Sequence, residues 1–323
     1  MADLITAVRD LLQFSTISLS YPLYRTTIEM IHVAMTQPTT RVAFQGEYGA
    51  YSELATRSYF GENVHVLPQP DFNALFNAVE SGEATHGMVP IENTLMGGIL
   101  DNYDLLLERS LYIIGETKLR IVHNLIVHAG VSLDDIREIH SQPPALAQCT
   151  DLIKSLPNAI AVATHDTAGS VRNLRDSGAR DTAAIASKQA AIDYDLEILK
   201  EGVEDNHQNY TRFVVVTKAP TEPKASPKTS IIFSLKNEPG SLYKSLGSFA
   251  EAGINLQKVE SRPIAGKPFE YTFYLDFDGS QAEPACKRAL DDLATHAATL
   301  RVLGSYQQGD LVNGTVRPRI EAS

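Results

Sequence analysis

The stretch Arg41-Val-Ala-Phe-Gln-Gly-Glu-Tyr-Gly-Ala-Tyr-Ser52 decides how the first half of the chain folds. Residues 41–46 form a short apolar-rich run that ends at a glycine, the pattern of a buried strand entering a turn. Residues 51–60 then have helical spacing and stop at Gly61. Further along, residues 64–67 give a second strand, and Asp71 caps a helix with Phe72, Leu75, Phe76 and Val79 on one face. Gly87-Met-Val-Pro-Ile91 is a third buried strand. Strand, helix, strand, helix, strand is the order of an open α/β sheet, whose ligands bind beyond the strand ends.

Residues 111–115 and 119–127 are strand-like and cross into a second lobe. That lobe has its own units: residues 136–140, a helix after Pro143-Pro144, residues 159–163 and a helix from Thr167. Thr211-Arg-Phe-Val-Val-Val216 is one more strand, returning to the first lobe. Pro220, Pro223 and Pro227 among Thr, Glu, Lys and Ser then mark a linker. Beyond it, residues 229–235 and 254–259 read as strands, and Leu242, Leu246, Phe249 and Ala250 as a helical stripe. Phe269, Tyr271, Phe273, Leu275 and Phe277 alternate with Glu270, Thr272, Tyr274 and Asp276, the pattern of a half-exposed strand. Cys286, Leu290 and Leu293 form a second helical stripe, and residues 300–303 close the sheet. The order βαββαβ predicts a ferredoxin-like sandwich. The plan is an extension over residues 1–40, a two-lobed α/β domain over 41–218, a linker over 219–228, the ferredoxin-like unit over 229–306 and a tail over 307–323.

A formal net charge of -11 argues against broad nucleic-acid or anionic-membrane binding, and no stretch of about 18 apolar residues could span a bilayer. Residues 1–34 lack the basic, apolar and small-residue order of a signal peptide. They read either as an appendage or as the product of an upstream start that Met35 replaces. Cys149 and Cys286 are the only cysteines, without CxxC or His/Cys ligand spacing, so a reduced cytoplasmic protein without structural zinc is expected. Neither a metal nor a cofactor is expected.

Polar residues gather where strands end. Gly46 to Ser52 joins a strand to a helix, whose first N–H groups suit a carboxylate or phosphate. A tight turn with a capping serine explains the same residues equally well. Pro90-Ile-Glu-Asn-Thr94 precedes Gly97-Gly98; there Asn93 and Thr94 either face a site or cap the next helix. His140-Ser-Gln-Pro-Pro144 precedes a helix bearing Gln148, and Asp166-Thr-Ala-Gly169 repeats the logic. Asn206, His207, Asn209, Thr211 and Arg212 cluster before the last strand. Such neutral donors from both lobes suit an anionic, oxygen-rich small molecule. His123 and His128 read as two residues of one strand facing opposite sides, and the nine histidines show no metal spacing. GxSxG, P-loop and GxGxxG patterns are missing, which leaves hydrolase, NTPase and dinucleotide readings without support.

Gly46-Glu-Tyr-Gly-Ala-Tyr-Ser52, Val89-Pro-Ile-Glu-Asn-Thr94 with Gly97, Ala145-Leu-Ala-Gln-Cys149 and Thr211-Arg-Phe213 occur in the order of the prephenate dehydratase motifs. Asn237-Glu-Pro-Gly-Ser-Leu242 and Glu260-Ser-Arg-Pro263 resemble the phenylalanine-binding pair of the ACT domain that follows in that family. Over residues 41–305 the chain therefore resembles a prephenate or arogenate dehydratase. The resemblance implies a periplasmic-binding-protein-like catalytic domain with its site between the lobes. Thr211 matches the residue assigned to catalysis, and Asn93, Ser141 and Gln148 match positions tied to activity. Ser52 and Thr167 match cleft-lining positions, and Thr94 and Arg212 are carried with their motifs as substrate-binding. Around Ser141 the usual Ser-His-Pro-Gln is altered, since Gln142 and Pro144 stand at the His and Gln.

The implied reaction turns prephenate into phenylpyruvate, with arogenate as the alternative substrate. Its implied effector is phenylalanine, held by Gly240, Ser241, Leu242, Asn255, Glu260 and Ser261 in a homodimer or homotetramer. A non-catalytic amino-acid receptor would share the two-lobed fold without needing Thr211, Asn93 and Gln148.

Overall fold

In the computed structural model, which describes residues 40–318 except positions 224, 237, 265 and 269, the first lobe alternates as the sequence predicts. Its elements are Arg41–Gln45 (β1), Tyr51–Phe60 (α1), His65–Gln69 (β2), Phe72–Ser81 (α2) and His86–Asn93 (β3). The expectations for residues 1–34 and for Asn237 and Phe269 lie outside the described residues. β1 pairs in parallel with β2 and β3 and is covered on both faces, so Val42, Ala43 and Phe44 have no exposed surface. α2 begins where the Asp71 carboxylate accepts the Ala74 N–H at 2.8 Å and ends at Gly82 in the left-handed region.

Gly97–Gly98 (β4) folds back on β3, then come Leu100–Glu108 (α3) and Tyr112–Arg120 (β5). The chain crosses at residues 121–123 into the second lobe. There lie Asn124–Val127 (β6), Glu138–Ser141 (β7), Pro143–Ala147 (α4), Thr150–Ser155 (α5) and Ile160–Ala163 (β8). Thr167–Ser177 (α6), Thr182–Ala186 (β9), Lys188–Asp193 (α7) and Glu197–Lys200 (β10) complete it, in the sheet order β10-β6-β9-β7-β8. His123 thus belongs to the crossover and His128 follows β6, so they do not share a strand as the sequence suggests. The chain returns over residues 201–209 to Tyr210–Thr217 (β11), which lies antiparallel between β3 and β5. The two crossovers run side by side, with the Ile121 N–H donating to the Asn209 carbonyl at 2.8 Å.

The third unit runs Pro227–Leu235 (β12), Ser241–Glu251 (α8), Leu256–Pro263 (β13), Tyr271–Asp278 (β14), Pro284–His296 (α9) and Ala297–Gln307 (β15). Its strand order, β13-β14-β12-β15, is that of the expected ferredoxin-like sandwich. Ile231, Phe233, Phe249, Phe277 and Leu293 form its core. β15 touches β5 through Gln307 and Gly115, so this sheet and that of the first lobe are continuous. Three features differ from the sequence reading. Pro227 and Lys228, read as linker, open β12, because Lys228 is buried against Glu116. The tail is not free, since Leu311–Val312 (β16) pairs with β5. Beyond Tyr271, β14 is covered on both faces, because Tyr274 donates to the Tyr103 carbonyl and Asp276 meets Arg212 of the first lobe instead of facing water.

Candidate active site

A cavity of about 310 Å³ lies between the lobes. Ser52, Asn93, His123, Gln148, Asp166, Thr167 and Thr211 supply part of its polar lining, and Phe72, Ile121 and Phe213 part of its apolar lining. Each polar group has a local reason to be there. The turn after β1 meets the second lobe at Gly49, where a Cβ would stand 2.5 Å from the Ala190 Cα. Only glycine, with φ of +83°, allows this approach. The Gly49 N–H donates to Glu53 at 2.7 Å, and its carbonyl accepts the Ser187 hydroxyl at 2.5 Å. Ala50 takes the N-cap position without a side-chain bond, which frees Ser52 to line the cavity.

The amides of the cavity form one oriented chain. Backbone N–H groups of Leu95 and Met96 both point at a single amide atom of Asn93, at 2.9 and 3.0 Å, which must therefore be its oxygen. The Asn93 nitrogen then donates to the Asn209 oxygen at 2.8 Å and to the Thr211 hydroxyl at 3.0 Å. Asn209 in turn donates to the Gln148 oxygen at 2.8 Å, and His123 Nε2 reaches the same oxygen at 2.9 Å. That oxygen can only accept, so His123 carries its proton on Nε2 and leaves Nδ1 as an acceptor 2.9 Å from the Tyr51 hydroxyl, whose single proton is shared with the Val122 carbonyl at 2.8 Å. Burial lowers the His123 pKa, with the Gln148 bond working the other way, so the neutral ring fits this role. Since Thr211 accepts from Asn93, its own proton is free for the cavity. The Gln148 nitrogen spans 3.4 Å to Asn93 and keeps a second N–H. This side of the cavity, at Thr211 and Gln148, therefore presents donors to whatever binds.

The structure brings Thr211, Asn93, Gln148, Ser52 and Thr167 together at the cavity, and leaves three expected residues outside its lining. Ser141 is fully buried and donates to the Ile185 carbonyl at 2.7 Å, tying β7 to β9. Thr94 donates to the Gln208 carbonyl and accepts the Tyr210 N–H, which locks the returning crossover. Arg212 neighbours Thr211 on β11 and so faces the other side of the sheet. There it meets Asp276 at 2.5 Å, with Glu116 and Glu92 each at 3.4 Å. Burial alone would raise the Asp276 carboxyl, but Arg212 and Lys228 outweigh it and hold it below the usual carboxylate range. Cys149 is fully buried, and burial pushes its thiol up to about 12, away from the thiolate form that a nucleophile needs.

No sequence pattern marks His123 or Tyr51 for the site, and Asn209 stands out only as part of a cluster. The signal for His123 was its place at the end of a strand that crosses lobes, legible only once β5 is known to stop at Arg120.

The six residues expected to hold an effector do not converge within one chain. Gly240, with φ of +81°, precedes α8; Ser241 donates to the Glu238 carbonyl, and Leu242 is exposed. Asn255 donates to Asp278 at 3.0 Å. Glu260 and Ser261 lie on opposite faces of β13. Glu260 turns toward the first lobe beside Lys258, which reaches Glu92 at 2.9 Å, and Ser261 faces solvent.

Residues 42–221 match the sequence family described as prephenate dehydratase. A relative from Arabidopsis thaliana, arogenate dehydratase/prephenate dehydratase 2, chloroplastic, is 42% identical over 277 residues, 82% of this chain and 72% of that protein. The solved structure of prephenate dehydratase from Arthrobacter aurescens in complex with L-Phe is 33% identical, with a TM-score of 0.77 over 86% of this chain and 93% of that one. GqqA, described as a novel type of quorum quenching acylases, is 36% identical, with a TM-score of 0.76 over 83% of this chain and 98% of that one. Several Arabidopsis relatives are named chloroplastic, which overturns the cytoplasmic expectation. Unpaired cysteines report a reducing compartment and not which one.

Proposed function

Because the chain belongs to the prephenate dehydratase family, we propose that its interlobe cavity dehydrates both prephenate and arogenate, with Thr211 as donor to the departing hydroxyl. The chain is a carbon–oxygen lyase of phenylalanine biosynthesis, converting prephenate to phenylpyruvate. In this reaction the ring carboxylate leaves as CO2 and its bonding pair enters the ring. The C–O bond opposite breaks, and hydroxide takes a proton to become water. Aromatisation drives the whole.

One observation carries the assignment of roles: Asn93 fills an acceptor position of Thr211, which lines the cavity, so the threonine proton is left for a ligand there. An alcohol is a weak acid, but a hydrogen bond to the leaving oxygen strengthens as charge develops there. Gln148 supplies a second neutral donor. No lysine or arginine lines the cavity. That suits a carboxylate that must leave as CO2, since a tight ion pair would hold it in the ground state. An acylase chemistry like that in the description of GqqA needs a hydroxyl or thiol activated by a base. Among the described residues the only hydroxyl bonded to His123 is the phenol of Tyr51, whose pKa burial raises.

The ferredoxin-like unit, residues 229–306, is read as an ACT domain that takes phenylalanine, the ligand named for the Arthrobacter relative. Leu242 and Ser261 are open in the single chain, so a second copy would complete that pocket. Inhibition requires that phenylalanine bind the less active arrangement more tightly. A plastid is the compartment this reading carries. Incubating the purified chain with prephenate and with arogenate, and assaying phenylpyruvate and phenylalanine, tests the proposal. Formation of both products supports it, and formation of neither overturns it.

A further inference from the structure

The two substrates differ in their side chains, a keto acid in prephenate and an amino acid in arogenate. The cavity lining contains a single ionic side chain, and it is negative: Asp166. This residue stands immediately before α6, where its Oδ1 accepts the Gly169 N–H at 2.6 Å. A Cβ on Gly169 would lie 2.6 Å from Asp166 Oδ2, so the glycine keeps room for the carboxylate. The turn at Gly46 lies against it, since a Cβ there would be 3.9 Å from Oδ1. Beside it the N–H groups of Thr167 and Ala168 open α6, where no intrahelical acceptor exists for them.

Other charges nearby do not cancel Asp166. On the adjoining rim Arg172 is paired with Glu47 at 2.5 Å, and His165 is bonded to the Pro70 carbonyl at 2.9 Å. A carboxylate beside free N–H groups complements an α-amino acid, the ammonium on Asp166 and the carboxylate on the helix start. A keto acid in the same place sets a carbonyl oxygen against Asp166 and leaves its two negative charges without a counter-ion. Repulsion of the wrong partner discriminates as effectively as attraction of the right one.

We propose that Asp166 is a specificity-determining residue that selects the ammonium-bearing substrate, arogenate, over prephenate. The inference rests on the dehydratase reading. Asp166→Asn tests it cleanly, because asparagine caps a helix as well as aspartate while removing the charge. The quantity to measure is the ratio of kcat/KM for arogenate to kcat/KM for prephenate, in the wild-type full chain and in the variant. The wild type should favour arogenate, and the variant should lower the ratio at least about tenfold, chiefly through KM for arogenate. Should Asp166→Asn not fold, Asp166→Ser, another capping residue without charge, should give the same fall. A ratio that stays constant or rises overturns the inference and leaves the dehydratase reading intact. A wild type inactive on both substrates overturns the dehydratase reading itself, and this inference with it.

Discussion

Asn93 and Thr211 stand directly opposite each other on β3 and β11, and the Asn93 carboxamide donates to the Thr211 hydroxyl at 3.0 Å. The two residues are 118 positions apart in sequence, yet the strand register makes them partners. Their bond is one link in a chain that starts at two backbone N–H groups and ends at His123. Each link fixes the orientation of the next, and the final effect is that the Thr211 hydroxyl accepts from Asn93 and keeps its own proton unclaimed.

Asn209 is the link most easily removed without touching the cavity surface. It is fully buried, accepts from Asn93 and donates to Gln148. Asn209→Ala should leave both amides free to turn and lower kcat by about 10- to 100-fold. Steady-state kinetics beside a circular dichroism spectrum check this. Normal turnover in a folded variant would show that the orientation of the chain does not matter.

The Arg212–Asp276 pair joins β11 to the ferredoxin-like unit in a buried setting. Arg212→Met alone strands buried carboxylates and should cost about 3–5 kcal/mol, and adding Asp276→Leu should recover part of it. The depressed Asp276 carboxyl contributes stability that is present above its unfolded pKa, near 4, and is lost as pH falls through the folded value. Thermal melts from neutral pH down to about pH 3 should therefore fall less steeply on the acid side in the double variant than in the wild type. Identical acid limbs would remove the pair from the account.

Arg317 in the tail reaches Glu53 of α1 at 2.7 Å and Asp193 of α7 at 3.0 Å, and Gln189 holds its N–H and its carbonyl. The tail thus bridges both lobes, and Glu53 is the residue that fixes the Gly49 N–H. Arg317→Gln should lower stability by about 1–3 kcal/mol and raise KM more than it lowers kcat. A fall in kcat alone would point to some other role.

The alternation of strands and helices was legible in the sequence because buried strands in a parallel sheet are uniformly apolar and the intervening helices show one apolar face. Asp71 and Gly82 punctuate α2 as their chemistry requires. The polar face of β14 misled for a physical reason: alternation shows that two faces differ, but Asp276 and Thr272 face another part of the protein and not water. Arg212 shows the same limit, since motif membership places it beside Thr211 while the strand turns it away. Ser141 looked like a donor at a strand end, and only the sheet order shows that Ile185 takes its hydroxyl. The role of His123 depends on where β5 stops, a boundary no local pattern marks. Contacts across the fold settled each of these.

The most direct test of the whole account compares Thr211→Val with Thr211→Ser. Valine keeps the shape and loses the donor; serine keeps the donor and loses a methyl. Product formation from prephenate and arogenate should fall by at least about 10²-fold in the valine variant and stay within about tenfold of wild type in the serine variant. Near-normal turnover by Thr211→Val would contradict the assignment of this cavity and of its donor.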